Sequence, residues 1–180
     1  EPSNLTAKRL LAQALVNQGS YKQADKVSNE AITHAQQTGN NKELIRLLLW
    51  QAVSRTQQGN WNEGLNVLAK AKQTASLDND RLYLAKFSKV TGKIYQAQKR
   101  FDLARKEFEL SLNHHDAIQC SYGHAESLID IGELDFAQDN FEEALVNFKN
   151  SLSFSSQKQL TKIEKQAQFL VDKTKAAMAE

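Results

Sequence analysis

Apolar side chains recur along this chain at steps of three and four residues, the spacing that puts them on one face of a helix. Leu160, Ile163, Ala167 and Leu170, for example, run on a three-four-three step. Period-two runs rich in Val, Ile and Thr, which would mark strands, are missing. Proline occurs once, at Pro2, and glycine seven times, so long helices joined by short turns can fill the body. The pattern predicts helices at about 4–18, 21–37, 42–58, 61–76, 80–98, 101–114, 117–138 and 141–156, with a last one at about 157–178.

Four copies of one segment punctuate this helical texture: QGSYKQA at 18–24, QGNWNEG at 58–64, QKRFDLA at 98–104 and QDNFEEA at 138–144. Their aromatics, Tyr21, Trp61, Phe101 and Phe141, stand 40 residues apart each time. Three residues on come Ala24, Gly64, Ala104 and Ala144, and upstream lie Ala12, Ala52, Gly92 and Gly132. A fixed period of this size is the mark of stacked repeats. Each unit reads as two helices that approach closely at the small residues, with the aromatic filling the gap. Gly64 faces the bulkiest of the four aromatics, a size exchange. Gly19 and Gly59 can take the left-handed conformation that ends a helix. Lys99 and Asp139 hold that place in the later copies, so those turns are expected to differ. Ser20, Asn60 and Asn140 are expected to cap the second helices.

These residues resemble the tetratricopeptide repeat. The family pattern is a small residue, a turn, an aromatic, Ala three on, and another small residue seven later, here Ala31, Ala71, Ser111 and Ser151. The resemblance covers about residues 5–156. The period is longer than the family's usual one and is similar to that of bacterial regulators of the maltose-activator type, peptide-sensing regulators and polarity scaffolds. The proline that usually closes the second helix is absent; Gln36, Ser76, Asp116 and Ser156 stand there. The resemblance implies an all-α fold: a right-handed superhelix, an α-solenoid of four helix-turn-helix repeats (about 5–41, 42–78, 79–116 and 117–156) in one domain, plus a C-terminal capping helix.

It also implies a concave groove lined by the first helix of each repeat. Carried over, that face offers Arg9, Gln13 and Asn17, then Arg46, Leu49, Trp50, Val53 and Gln57. Lys86, Lys89 and Lys93 follow in the third repeat, and Glu126, Asp130, Glu133 and Phe136 in the fourth. Trp50, at the end of an LLLW run more apolar than one buried stripe needs, is either inter-repeat core or a groove anchor. The carboxylate clamp of chaperone-binding relatives is not expected, because Arg9, Gln13, Trp50, Lys86 and Val90 occupy its positions.

Charge is balanced overall, 23 basic against 21 acidic residues for a net +2, which does not suggest nucleic-acid binding. Locally it is segregated. Residues 81–106 carry eight basic side chains against Asp102 alone, and residues 107–148 carry ten acidic ones with no Lys or Arg. Either Lys86, Lys89 and Lys93 face Glu126, Asp130 and Glu133 in stacking register, or the groove has a basic and an acidic wall for a peptide of mixed charge.

Candidate chemistry is sparse. His114, His115, Cys120 and His124 cluster in HHDAIQCSYGH. Cys120 and His124 share a helix-face spacing, but the other two His are expected at a turn, with solvent-facing imidazoles and a small buried thiol, and no metal is expected. No Gly-rich cluster carries a phosphate-binding Lys, and no nucleophile-elbow pattern occurs. The carboxylates fall at solvated-face spacing, so an enzyme is not expected and no cofactor is implied. Cys120 is the single cysteine and leaves the compartment undecided, with the cytoplasm favoured. No 18-residue apolar run occurs. A chain starting at Glu1 reads as a processed chain or an excised fragment.

The expectation is therefore a non-catalytic scaffold that binds a protein or peptide segment in its groove, within a larger regulatory or signalling protein. The alternative is an effector-sensing domain for a small ligand or signalling peptide, for which Trp50, Tyr95 and Phe136 would form an aromatic platform. The last helix is expected to cap the array, or else to form a coiled-coil stalk, leaving a monomer or a weak dimer through that helix.

Overall fold

The computed structural model describes residues 4–179. Among them, nine helices follow one another: α1 (Leu5–Asn17), α2 (Tyr21–Gln37), α3 (Asn41–Gln57), α4 (Trp61–Leu77), α5 (Arg81–Ala97), α6 (Phe101–Ala117), α7 (Ser121–Phe136), α8 (Phe141–Gln157) and α9 (Thr161–Ala177). No strand occurs among the described residues. From α2 onward every helix starts 20 residues after the last. The forty-residue unit is thus two equal halves, and the turns between repeats match the turns within them.

Eight turns share one geometry. At each, a residue with positive φ follows the helix: Gly19, Gly39, Gly59, Asn79, Lys99, Gln119, Asp139 and Gln159. The amide after it bonds five residues back, as in Ser20 to Leu15, Arg100 to Tyr95 and Leu160 to Ser155. The amide of the positive-φ residue itself bonds three back, as in Gly19 to Val16 and Lys99 to Gln96. This reciprocal pair is the Schellman closure, which satisfies carbonyls that the helix end leaves orphaned. The turns at Lys99 and Asp139 therefore do not differ from the glycine turns, with φ of 58° and 60° against 81° and 78° at Gly19 and Gly59. Surrounding hydrogen bonds over-determine the conformation and hold a side chain where glycine is the easier choice.

The caps also differ from expectation. Ser20, Asn60 and Asn140 occupy N-cap positions, but their side chains make no capping hydrogen bond. Capping falls instead on Asn4, Asn40 and Asp80, which accept from the amides of Ala7, Glu43 and Tyr83. Trp61 fills its gap only in part and stays 37% exposed.

The chain divides into two compact units between Val90 and Thr91, inside α5. In the first, α2 packs against α1 and α3, and α3 against α1 and α4. In the second, α7 packs against α6 and α8, and α9 against α8 and α7. Close packing within a repeat comes from complementary sizes sixteen positions apart. A Cβ on Gly92 would lie 2.5 Å from the Phe108 ring, and one on Gly132 would lie 2.6 Å from Phe148. The matching positions in the second repeat are Ala52 and Leu68, also fully buried. A larger first-helix residue thus meets a smaller partner, which keeps interior volume constant.

Each unit also holds an ion pair between α-helices at equivalent places, with its polarity reversed. In the first, Arg55 of α3 lies 3.5 Å from Asp25 of α2. In the second, Asp135 of α7 accepts from Arg105 of α6. Both pairs are 30 residues apart in sequence, and both carboxylates are buried.

The last helix starts at Thr161 rather than 157 and keeps the 20-residue register instead of breaking it. Ile163, Ala167 and Val171 are buried with Phe148 and Ile129, and Leu160 and Leu170 pack against that cluster. All four residues of the expected apolar seam thus pack inside the chain. Where α3 has Ile45, Leu48 and Ala52 buried, α9 exposes Lys165, Gln168 and Asp172. Phe169, in the place of buried Leu49, is also exposed, so this outer face is polar apart from one aromatic ring, close to what a terminal capping helix needs.

Candidate partner-binding face

The helix face with the expected groove residues lies on α1, α3, α5 and α7. On α1, Arg9 and Gln13 are half-buried and Asn17 is exposed. On α3, Arg46, Trp50 and Val53 are half-buried, Gln57 is exposed and Leu49 is buried. The three leucines before Trp50 are all buried, so Trp50 is the surplus apolar position of its run and keeps part of its ring at the surface. Lys86, Lys89 and Lys93 are half-buried on α5. On α7, Glu126, Glu133 and Phe136 are half-buried, while Asp130 is 4% exposed.

In the first unit this face organises around an acid that the sequence reading passed over. Glu43, in the first turn of α3, is buried; its Oε2 accepts from Arg9 Nε at 3.0 Å and its Oε1 from Arg46 Nη1 at 2.8 Å. Tyr83, at the start of α5, lies beside them. The Arg46 guanidinium is 5.9 Å and the Lys86 ammonium 4.8 Å from its ring centre. Burial pushes the Tyr83 hydroxyl above its ordinary value, against the opposing pull of Arg46 and Arg9. The clue to Glu43 was its place three residues before Arg46, one turn away on the same helix.

In the second unit Lys93 is the centre. It lies 2.9 Å from Asp130 and 2.7 Å from Glu133, with its ammonium 5.4 Å from the Phe108 ring centre. Burial pulls the ammonium's pKa down, but the two carboxylates outweigh it and hold it above the usual lysine value. Phe136 meets Phe141 edge-on at 5.2 Å and carries Lys173 of α9 over its face at 4.6 Å. Tyr95 packs with the Ala104, Phe108, Ile131 and Leu134 cluster, whereas Phe136 supports the one around Phe148.

The histidine cluster takes a different form from the expected one. His114 and His115 lie in the last helical turn of α6, not at the turn between helices, because that helix runs on to Ala117. His115 is buried, with Nδ1 3.2 Å from Ser127 Oγ, and Gly123 makes room for its ring. Cys120 is only half-buried and holds the N-cap position of α7. His124 Nδ1 is 2.5 Å from Asp116 Oδ1, and its ring centre lies 4.3 Å from that of Phe154, tilted by 35°. These residues, with Cys120 and Lys158, line an open cavity of about 540 Å³ at the turn. Among the described residues no group of three or more His, Cys, Asp or Glu could hold a metal ion. Nor is any described helix long and apolar enough to cross a membrane.

No family model matches the chain, and no curated protein does. Solved structures do. BtubC (BKLC) from P. vanneervenii superposes with a TM-score of 0.76 at 14% identity, over 99% of this chain and 81% of its own. A chain from Podosopora anserina assigned as a kinesin light chain, with nearly identical TPR-like repeats, gives 0.70 at 15% identity, over 99% and 97%. The apo form of RapI gives 0.74 at 13% identity, over 87% of this chain and 44% of RapI. At such identities the likeness speaks for architecture, and it agrees with the twenty-residue register of the helices. The chain folds as a TPR-like α-solenoid of helix-turn-helix repeats.

Proposed function

We propose that this chain is a non-catalytic scaffold that holds a protein or peptide segment against the first helices of its repeats. The observation that carries this reading is the stripe Arg46, Trp50, Val53 and Thr56 on α3, at four-three-three spacing. Every member is half-buried, although the helix between them is packed with leucine. Half-buried side chains of mixed chemistry on a rigid helix suit recognition: their rotamers are already restricted, so a partner orders little on binding. The resemblance to the tetratricopeptide repeat implies partners along such a face, and the forty-residue repeat suits a module of a larger regulatory or signalling protein. No nucleic acid or membrane partner belongs to this reading.

The test is a peptide array probed with the full chain and with two sets of charge insertions. Val53→Arg and Gln13→Arg alter the first-helix face; Lys26→Glu and Lys70→Glu alter exposed second-helix positions. Loss of bound peptides in the first set alone is expected. Loss in the second set alone would move the partner to the opposite face.

A further inference from the structure

The geometry around Tyr83 points to a particular partner chemistry: we propose that the first unit binds an acidic peptide segment, carboxylates at Arg9, Arg46 and Lys86, with a large apolar side chain beside Trp50. This inference rests on the groove reading and gives its partner a charge and a sequence pattern.

Two guanidiniums converge here on one buried carboxylate, and a third cation, Lys86, lies over the neighbouring Tyr83 ring. Glu43 spends one oxygen on Arg9 and the other on Arg46, and so fixes both guanidiniums in place. It neutralises one positive charge of three. Asp80, whose charge also reaches Tyr83, accepts from the Tyr83 amide at the start of α5, so three cations here face two carboxylates. A guanidinium has five N–H donors in a planar fork, and one contact with Glu43 leaves each with donors for a second carboxylate. The Lys86 ammonium rests over the Tyr83 ring, which positions it without cancelling its charge. All three side chains are half-buried, so an incoming anion meets them in a medium of lower dielectric than water.

The apolar part of the pattern comes from helix geometry. Trp50 lies four residues after Arg46, hence one turn further on the same face of α3. A segment whose acidic side chain meets Arg46 would bring a neighbouring side chain to the half-buried indole. Buried aromatics and arginines are the residue types that most often dominate binding energy at interfaces.

The experiment measures anisotropy of three labelled peptides with the full chain: alternating Glu and Phe, the same peptide with Gln for Glu, and the same with Lys for Glu. The Glu peptide is expected to bind at least about tenfold more tightly than the Gln peptide at low salt, with the gap closing toward about 1 M salt. Lys86→Gln is expected to weaken the Glu peptide several-fold. So is Arg46→Lys, which keeps the charge and the contact to Glu43 but loses the fork. Thermal melts of both variants check that each stays folded. Equal affinity of the Glu and Gln peptides, or a folded Lys86→Gln variant that binds as the parent does, overturns the proposal. If the Gln or Lys peptide binds best and Val53→Arg abolishes it, the acidic specificity fails while the groove reading stands. If none of the three binds, both fail.

Discussion

Asp135 is the group whose partner matters most to the second unit. It is 1% exposed, in the last turn of α7, where the helix dipole disfavours a negative charge. One carboxylate oxygen accepts from Arg105 of α6, and the other accepts from Asn147 of α8 at 2.9 Å. Replacing Arg105 with Met keeps the stem that covers α7 and removes the charge, leaving a buried carboxylate with one neutral donor. Breaking such a pair costs about 3–5 kcal/mol. The Arg105 side chain is 37% exposed, so solvent reaches it and the lower end, about 3 kcal/mol, applies. In a chain of this length each kcal/mol lowers the melting temperature by about 2–4 °C, so Arg105→Met should melt about 6–12 °C early. Circular dichroism at 222 nm, a helix signal, reads this directly. The diagnostic variant is Arg105→Met with Asp135→Leu, which replaces the pair by apolar packing and should recover most of the loss. A single variant that melts within about 2 °C of the parent, or a double variant no better than the single, would refute the argument.

Other outcomes follow from the same packing. The looser pair in the first unit, Arg55 at 3.5 Å from Asp25, should cost less when Arg55 becomes Met, and parallel melts compare the two. Gly132→Ala places a Cβ against Phe148 and should cost about 1–3 kcal/mol in urea unfolding, recovered in part by adding Phe148→Leu, the pairing of the second repeat. Lys99→Gly relieves a side chain held at φ 58° and should stabilise by up to about 1 kcal/mol by the same measurement. Lys93 binds its proton more tightly folded than unfolded. Its contribution is therefore complete below lysine's ordinary pKa of about 10.4 and fades as pH rises through the raised value. Melting of the parent should fall more steeply above about pH 10 than that of Lys93→Met.

The repeat was legible because each copy carries chemistry that cannot be spread elsewhere: a turn, an aromatic and a small residue in fixed order. All of Ala24, Gly64, Ala104 and Ala144 are buried as their spacing requires. The twenty-residue half-period was not legible. Its turns are marked by Gly19, Gly39 and Gly59 in the first half of the chain but by Asn79, Lys99, Gln119, Asp139 and Gln159 later. A backbone held by two reciprocal hydrogen bonds accepts those side chains, so residue type under-reports the turn. The same reason moved His115 from an expected turn into the core, where Gly123 offers the space. Of the candidate face, Arg9, Arg46 and Trp50 were named through the tetratricopeptide resemblance, and all three are half-buried. The sequence could not show that Glu43 ties two of these helices together, because that contact spans 34 residues.

The central claim, a partner lying along the first helices, is tested most directly by tryptophan fluorescence. The chain has two tryptophans, Trp50 on the proposed face and Trp61 at the start of α4. Trp61→Phe leaves Trp50 as sole reporter, and Trp50→Phe leaves Trp61. Titration with the alternating Glu and Phe peptide should shift the emission of the first variant to the blue as the indole loses water, and leave the second unchanged. A response from Trp61 with none from Trp50 would contradict the account.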